Sequence, residues 1–262
     1  MATPSGSYHV EIARERTVRL RQLLRELPRS CVDFFRGIEP TTSILTRLNY
    51  AYDLRLFFTY LLENESEFSA VSSIADLTLD ELAQVTPLMM ESYLEYLGYY
   101  VTPAGQEFEN GNAGKARKLA TLKSFFRYLY KREMLPQNVA ERVDMPKIPE
   151  KPIIRLEPDE VANMLDAVES GDVLTPNQKR YHKYTRSRDV AIFTTLLGTG
   201  IRISELVGLN VGHIDFTTNS FLVTRKGGAQ VILYFGCLLY TSDWPGQRKC
   251  PPVFEGQPGN CS

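Results

Sequence analysis

Arg202 and Lys226 are the two residues whose types and surroundings could do chemistry on a phosphate. Arg202 follows Gly198-Thr-Gly200 at the start of a short predicted helix, and Lys226 stands beside Gly227-Gly228 at a predicted hairpin tip. The planar fork of an arginine can bind two phosphate oxygens, and a helix N-terminus adds unpaired N–H groups. The two cations could therefore converge on one phosphodiester. A second interpretation stays open, in which Arg202 only pairs with Glu205 and Lys226 is a solvated turn residue.

Other reactive patterns are absent from the sequence. The glycines before Arg202 fail the dinucleotide fingerprint, because Ile203 stands where that motif needs its third glycine. No P-loop motif occurs, and a serine or cysteine triad has little support. Histidines and cysteines do not stand at metal-ligand spacing; they are His9, His182, His213, Cys31, Cys237, Cys250 and Cys261. We therefore expect no metal, nucleotide or other cofactor.

Helices and a hairpin are predicted to position the two cations. Alternating, β-rich residues on both sides of Lys226 predict a hairpin of strands 221–224 and 230–235. Residues 158–168 and 188–197 have helical periodicity, Gly198 and Gly200 are expected to end the second helix, and a short helix is expected over 201–209. The polar stretch 171–185 is predicted to be a loop.

The first half of the chain is predicted to be helical. Apolar spacing predicts a helix over 44–62, a capping box marks Thr78, and Thr86-Pro87 should open a helix that buries Met90, Tyr93, Leu94 and Leu97. A polar loop should follow to about Gly114. A long helix over 112–133 should then bury Leu119, Leu122, Phe126 and Leu129 and carry Lys115, Lys118, Lys123 and Arg127 on its opposite face. A short helical turn is expected at 139–143.

Pro146, Pro149 and Pro152 predict an extended linker. We therefore divide the chain into an N-terminal segment (1–25), a helical domain (26–145), a linker (146–154), a mixed α/β part (155–236) and a tail (237–262).

Charge is distributed very unevenly along the 262 residues, although the net charge is −1. Residues 60–110 contain ten Asp/Glu and no Lys/Arg, whereas residues 111–155 contain eleven Lys/Arg and four Asp/Glu. The basic block suggests a polyanion-binding face, but two ordinary solvated helix faces would show the same pattern. No apolar stretch could cross a membrane. The first residues lack an apolar core, so we expect no secretory signal, and the few cysteines suggest a reducing cytoplasm.

Residues 198–209, Gly-Thr-Gly-Ile-Arg-Ile-Ser-Glu-Leu-Val-Gly-Leu, resemble the first catalytic box of the tyrosine recombinases, the phage-integrase and Xer-like family. Ile214-Asp215-Phe216 and Arg225-Lys226-Gly227-Gly228 follow in the order and at the spacing of that family. Residues 50–60 and 118–129 are similar to its helical core-binding domain. The resemblance covers about residues 8–236.

The resemblance implies a mainly α fold. It combines an N-terminal all-α, SAM-like core-binding domain with an incomplete mixed α/β catalytic domain that has a small β-hairpin or sheet. It also implies site-specific DNA recombination or integration without metal or nucleotide, through a 3′-phosphotyrosyl intermediate. The implied partners are duplex DNA and other copies of the chain, which form a tetramer on DNA in the intact family.

Residue roles follow from the same resemblance. Arg202 and Lys226 match catalytic residues, and Glu205 matches the acidic residue that positions the arginine. Contacts to DNA are expected from the basic helix and the hairpin, by Lys115, Arg117, Lys118, Thr121, Lys123, Arg127 and Arg225.

The sequence departs from the family after Gly236. No H-x-x-R occurs in the 262 residues, and Tyr240 is not expected to be the nucleophile. The composition of the tail, which includes Trp244, suggests a truncated or frameshifted reading frame. We therefore expect DNA binding with an incomplete catalytic set, and whether the chain is an enzyme stays open. The alternatives are a non-catalytic DNA-binding regulator and a helical protein-interaction module that uses the acidic block at 60–110.

Overall fold

The structure of the chain is a computed structural model that describes residues 8–102, 105–150, 152, 154–225 and 229–235. It divides into two compact units, residues 1–152 and 153–262. Helices dominate, and two small antiparallel sheets complete the described part, so the predicted mainly α fold class is confirmed.

The first unit contains six helices and one short hairpin in its described part. These are α1 (Tyr8–Leu23), α2 (Arg29–Ile38), α3 (Ile44–Asn64), α4 (Leu79–Gln84), α5 (Pro87–Tyr96), β1 (Tyr100–Val101), β2 (Glu107–Phe108) and α6 (Asn112–Lys131). The predicted helical turn near 139 is a 3₁₀ turn at Val139–Arg142.

Aromatic residues from α2, α3 and α6 form the core of this unit. Phe34, Phe58 and Phe125 are fully buried, and the ring of Phe125 packs edge-on against the other two at 5.3 and 5.9 Å. Such edge-to-face pairs add to the stability that burial of the rings provides. The helices begin where the sequence predicts, since the hydroxyls of Ser43 and Thr86 accept N–H bonds at the starts of α3 and α5.

The loop predicted after α5 contains the hairpin β1–β2. Its register pairs Tyr100 with Phe108, and their rings stack at 5.4 Å. A cross-strand aromatic pair of this kind stabilises a short hairpin that polar composition alone does not reveal.

In the second unit, three helices precede a three-stranded sheet along the described part of the chain. Its described elements are α7 (Pro158–Ser170), α8 (Pro176–Thr199), α9 (Ile203–Val207), β3 (Ile214–Asp215), β4 (Ser220–Thr224) and β5 (Gln230–Tyr234). The sheet order is β3-β4-β5, all antiparallel, and Phe221 pairs with Leu233 and Val223 with Val231. The predicted hairpin is therefore confirmed as β4–β5.

The predicted loop at 171–185 is wrong from Pro176 onward, because α8 already begins there. Thr175 and Gln178 form a capping box, and proline occupies the first helical turn. Both are helix-start signals, and the polar composition concealed them. α8 continues through Gly198 and ends at Gly200, whose φ of +63° glycine adopts without strain.

Among the described residues, the helices are too short or too polar to serve as a transmembrane span.

Candidate nucleic-acid interface

Arg202 occupies the N-cap position of α9, where Glu205 holds it on two sides. One carboxylate oxygen of Glu205 accepts from Nη1 of Arg202 at 2.9 Å, and the other accepts from the backbone N–H of Arg202 at 3.0 Å. The side chain of Glu205 is 5% exposed and that of Arg202 is 63% exposed. The buried carboxylate thus fixes one edge of the guanidinium, while most of the arginine side chain faces solvent.

The hydrogen bonds at the start of α9 stabilise the ionised form of Glu205. The backbone N–H of Arg202 is the largest cause of the lowered pKa of this carboxyl, followed by the guanidinium of Arg202 and then by the charge of Arg225. Because its pKa is lowered, Glu205 is ionised at neutral pH and keeps Arg202 in place. The pairing of Arg202 with Glu205 is therefore present, and it leaves most of the Arg202 side chain exposed.

The hairpin β4–β5 brings Arg225 toward the same carboxylate. Its backbone N–H donates to the carbonyl oxygen of Ala229 at 2.7 Å, which closes the hairpin. The Nε atom of Arg225 is buried and has no hydrogen-bond partner among the described residues. Lys226, expected at the hairpin tip, lies outside the described residues.

A small apolar cluster supports this arrangement. Ile201, directly before Arg202, packs with Phe221, Val223 and Phe235 of the sheet, and all four are buried. Burial of Ile201 anchors the segment between α8 and α9 on the sheet that carries Arg225. The positions of Arg202 and Arg225 therefore depend on one shared core.

In the first unit, Arg117 of α6 is held by a buried aspartate of α3. Nη1 and Nη2 of Arg117 donate to the two oxygens of Asp53 at 2.7 and 2.8 Å, and the hydroxyl of Thr121 donates to Asp53 at 2.9 Å. Asp53 is 3% exposed in its side chain and Arg117 is 50% exposed. This two-pronged ion pair links α3 to α6 and leaves half of the Arg117 side chain exposed.

Thr121 was expected to contact DNA, but it is fully buried. Its hydroxyl is used by Asp53, so it lies in the core and not on the surface of α6. Asp53 itself was missed by the sequence analysis. The signal was present, because Asp53 stands between Ala51 and Leu54 of the apolar stripe in α3, where an unpaired charge would be costly.

Lys115 and Lys118 do not lie opposite the apolar stripe of α6, as was predicted. Leu119 and Leu122 follow them by four residues, and that spacing places each lysine on the same side of the helix as its leucine. Both lysines are half-buried. Lys118 donates from Nζ to the side chain of Asn110 at 2.9 Å, and burial lowers its pKa.

Lys123 and Arg127 lie on the more open side of α6. Lys123 is half-buried and Arg127 is exposed. Arg127 donates to Glu141 at 3.3 Å, an exposed pair of little energetic weight. The exposed charge of α6 thus comes mainly from Arg117 and Arg127, whereas Lys123 is half-buried like Lys115 and Lys118.

Metal-ligand clusters of three or more His, Cys, Asp or Glu do not occur among the residues that the structure describes. His182 packs against α7, where its Nε2 lies 2.8 Å from the carbonyl oxygen of Val168. His213 is exposed at the end of a 3₁₀ turn.

Comparison with known proteins finds a family match in the same part of the chain that contains Arg202 and Glu205. Residues 155–242 match the model of the phage integrase family. Tyrosine recombinase XerC of Caldanaerobacter subterraneus subsp. tengcongensis is 30% identical over 201 residues, which are 74% of this chain and 51% of that protein. Tyrosine recombinase XerS of Streptococcus uberis is 29% identical over 226 residues, which are 77% of this chain and 62% of that protein.

Among solved structures, the Tn1549 transposon integrase (residues 82–397) in complex with circular intermediate DNA is similar at 16% identity with a TM-score of 0.46. That match covers 80% of this chain and 62% of the integrase. The chain spans between half and two thirds of the length of these relatives. Residues 155–242 thus carry a phage integrase domain, and the chain is related to the tyrosine recombinases XerC and XerS.

Proposed function

We propose that this chain binds duplex DNA in site-specific recombination of the tyrosine recombinase type. The observation that carries the proposal is Arg202, an exposed arginine fixed by a buried carboxylate within the stretch that matches the family. Only one edge of its guanidinium is used by Glu205, so the remaining N–H groups are available to a phosphate oxygen. Glu205 is the positioning residue of this site.

Arg225 and Lys226 supply the second part of the proposed phosphate site. Two observations support a place for Arg225 near Arg202: its Nε has no hydrogen-bond partner in the described part of the chain, and its charge helps to lower the pKa of Glu205. Lys226, next to Arg225 in the sequence, is assigned to the site by the family motif. Cations that meet at one phosphate stabilise the charge that develops on its oxygens.

The first unit contributes sequence-independent contacts to the DNA backbone in this proposal. Lys123, Arg127 and the accessible half of Arg117 are the α6 residues that suit this role. Lysine and arginine contacts to phosphate fix the register of a protein on the duplex without reading bases. Lys115 and Lys118 lie within the apolar stripe of α6, four residues before Leu119 and Leu122, so they contribute charge more than direct contact.

A polypeptide of these 262 residues is expected to bind DNA without cleaving it. The sequence contains no H-x-x-R box and therefore lacks the second arginine of the family. When several groups stabilise one transition state together, an enzyme loses nearly all activity if one of them is removed. A suicide DNA substrate tests this expectation. Covalent capture of the DNA by the chain would overturn it, and binding without capture supports it.

Fluorescence anisotropy with a labelled duplex, repeated at several salt concentrations, tests DNA binding at Arg202. Arg202→Ala should weaken binding by roughly 10-fold or more, because a charge-assisted hydrogen bond contributes about 1.5–3 kcal/mol. The slope of log K against log[salt] should fall by about 0.9 for one lost phosphate contact. Ile203→Ala is the matched control, since Ile203 is exposed, adjacent and uncharged. Equal binding by both variants would contradict the proposed role of Arg202.

A pair of substitutions on α6 tests the contribution of the first unit. Lys123→Glu should weaken binding, whereas Glu141→Gln should leave it equal or tighten it, because Glu141 then no longer neutralises Arg127. If Lys123→Glu binds as the unmodified chain does, or if Glu141→Gln binds more weakly, α6 is not part of the DNA-binding surface. Lys118 is unsuitable for this test, since charge reversal there would also break its bond to Asn110.

A further inference from the structure

The first half of α8 carries the strongest local concentration of positive charge in the second unit. Residues 176–188 contain five basic residues and no Asp or Glu; the five are Lys179, Arg180, Lys183, Arg186 and Arg188. The acidic helix α7 precedes them, with Asp159, Glu160, Asp166 and Glu169. The acidic residues of α7 offset these cations in the net charge of the second unit, although the cations are concentrated on α8.

One side of this half-helix is taken up by packing against α7. His182 contacts the carbonyl oxygen of Val168, and Arg186 pairs with Glu169 at 2.5 Å. Gly171, just after α7, lies directly against the ring of His182. These contacts fix which side of α8 faces outward.

The rest of the half-helix is exposed and cationic, with Lys179 at the margin of the packed side because it stands three residues before His182. Lys179, Arg180 and Lys183 are exposed, and no carboxylate lies within ion-pair distance of them in the described part of the chain. Arg188 is exposed as well but pairs with its neighbour Asp189 at 2.7 Å. Three cations without a neutralising partner on one helical surface create a local positive potential.

Two tyrosines stand on the same outward side. Tyr181 and Tyr184 are 70% and 77% exposed, and Nζ of Lys183 lies 4.7 Å from the ring centroid of Tyr184. Phenol hydroxyls donate to phosphate oxygens, as lysine and arginine do. Large exposed rings beside unpaired cations suit a ligand that is anionic, extended and rich in hydrogen-bond acceptors.

We infer that this outward side of α8, formed by Lys179, Arg180, Tyr181, Lys183 and Tyr184, is a second surface for the duplex DNA backbone. The inference rests on the proposed DNA-binding function and adds a contact surface to it. The span from Lys179 to Tyr184 is roughly 7.5 Å along a helix axis. It matches the axial rise of about two base pairs, so neighbouring phosphates are within reach of successive side chains.

This surface contacts phosphates other than the one at Arg202. The helix between Lys183 and Thr199 is roughly 24 Å long, and Arg202 follows beyond it. Charge changes at Arg180 and Lys183 therefore leave the contacts of Arg202 and Glu205 intact. The α8 surface holds the duplex, and the Arg202 site acts on a single linkage.

The test compares the full 262-residue chain with Arg180→Gln/Lys183→Gln, measured by anisotropy on a labelled duplex over a range of salt. Loss of two phosphate contacts should lower the slope of log K against log[salt] by about 1.8 and raise Kd about tenfold at moderate salt. Circular dichroism verifies that both proteins are helical. If the double variant misfolds, Arg180→Gln and Lys183→Gln are measured singly, each with half the change in slope.

A charge-restored control separates a local contact from a general electrostatic effect. Glu91→Gln/Glu95→Gln removes two exposed acidic charges from α5. Combined with the α8 substitutions, it restores the net charge. Binding that stays weak supports a local contact on α8, whereas full recovery overturns it.

The remaining outcomes distinguish the two proposals. If the unmodified chain shows no salt-dependent DNA affinity, the proposed function itself fails. If the chain binds DNA and Arg202→Ala weakens binding, but the α8 variant binds as the unmodified chain does, the α8 surface alone is wrong. An α8 variant that loses affinity for an acidic peptide but not for DNA would likewise overturn it.

Discussion

At the scale of single residues, each unit uses a buried carboxylate to hold an arginine that stays accessible. Asp53 holds Arg117 in the first unit, and Glu205 holds Arg202 in the second. In both pairs the carboxylate is almost fully covered while at least half of the arginine side chain is exposed. A fixed arginine loses less entropy when it binds a phosphate than a free side chain does.

The Asp53 pair predicts an asymmetry in stability. Arg117→Met should destabilise the chain by about 3 kcal/mol or more, because it leaves a buried carboxylate without its charged partner. Asp53→Asn should cost about 1–2 kcal/mol, because the half-exposed guanidinium can return to water and only a hydrogen-bond network is weakened. Urea unfolding followed by circular dichroism measures both. Equal costs would show that Asp53 is not buried as the structure has it.

The Glu205 site predicts a pH-dependent contribution to stability. Since bonding to Arg202 lowers the pKa of Glu205 in the folded state, the carboxylate stabilises the fold above its ordinary pKa of about 4.3, and this contribution is lost as pH falls through the lowered value. The difference in unfolding free energy between the unmodified chain and Glu205→Gln should therefore be present at pH 7 and vanish in acid. A difference that does not vary with pH would argue against the ionised pair.

At the scale of elements, α8 is a continuous helix with one glycine before it and one after it. The two glycines differ in how much space surrounds them. Gly171, between α7 and α8, has a φ of +69°, and a Cβ added there would lie 2.7 Å from Nδ1 of His182. Gly200, after α8, has a φ of +63°, and nothing lies within 4 Å of an added Cβ among the described atoms. The two positions share a backbone conformation and differ in available space.

This contrast predicts unequal costs for the same substitution. Gly200→Ala should destabilise the second unit by about 1 kcal/mol, the cost of a left-handed conformation for a residue with a Cβ. Gly171→Ala should cost more, because the ring of His182 must also move away from its bond to Val168. Thermal unfolding of both variants measures the difference, and a milder effect at Gly171 would contradict the packing of α7 on α8.

At the scale of the whole molecule, the charges form separate regions. The acidic stretch 60–110 and the basic stretch 111–155, except for its last three residues, belong to the first unit, while the cations of α8 and Arg202 belong to the second. A net charge of −1 therefore conceals surfaces suited to a polyanion. This distribution is the reason that DNA affinity is expected to depend steeply on salt.

We propose that the segment at 146–154 is a linker between separately folded units, and limited proteolysis checks this. The described residues from 147 to 150 are exposed and have no regular structure. Trypsin at low concentration should therefore cut first between Lys147 and Arg155, giving two resistant fragments identified by mass spectrometry. Earlier cleavage inside α3 or α6 would contradict the proposed boundary.

The sequence by itself determined the long periodic elements and the family resemblance. The helices α3, α5 and α6, the hairpin β4–β5 and the motif around Arg202 were all predicted, because strong apolar periodicity, capping residues and turn glycines act locally. The pairing of Arg202 with Glu205 was also foreseen as an alternative, since three residues bring side chains together on one helical turn.

Only the tertiary structure decided which polar residues face solvent. Thr121 and Lys118 belong to a basic helix, yet packing against α3 and the hairpin buries them fully or partly. The nearness of Arg225 to Glu205 and the outward side of α8 likewise depend on contacts between elements distant in sequence. The burial of a side chain depends on which residues surround it in space. The sequence pattern of a helix therefore cannot show whether a charged residue beside an apolar stripe is buried or exposed.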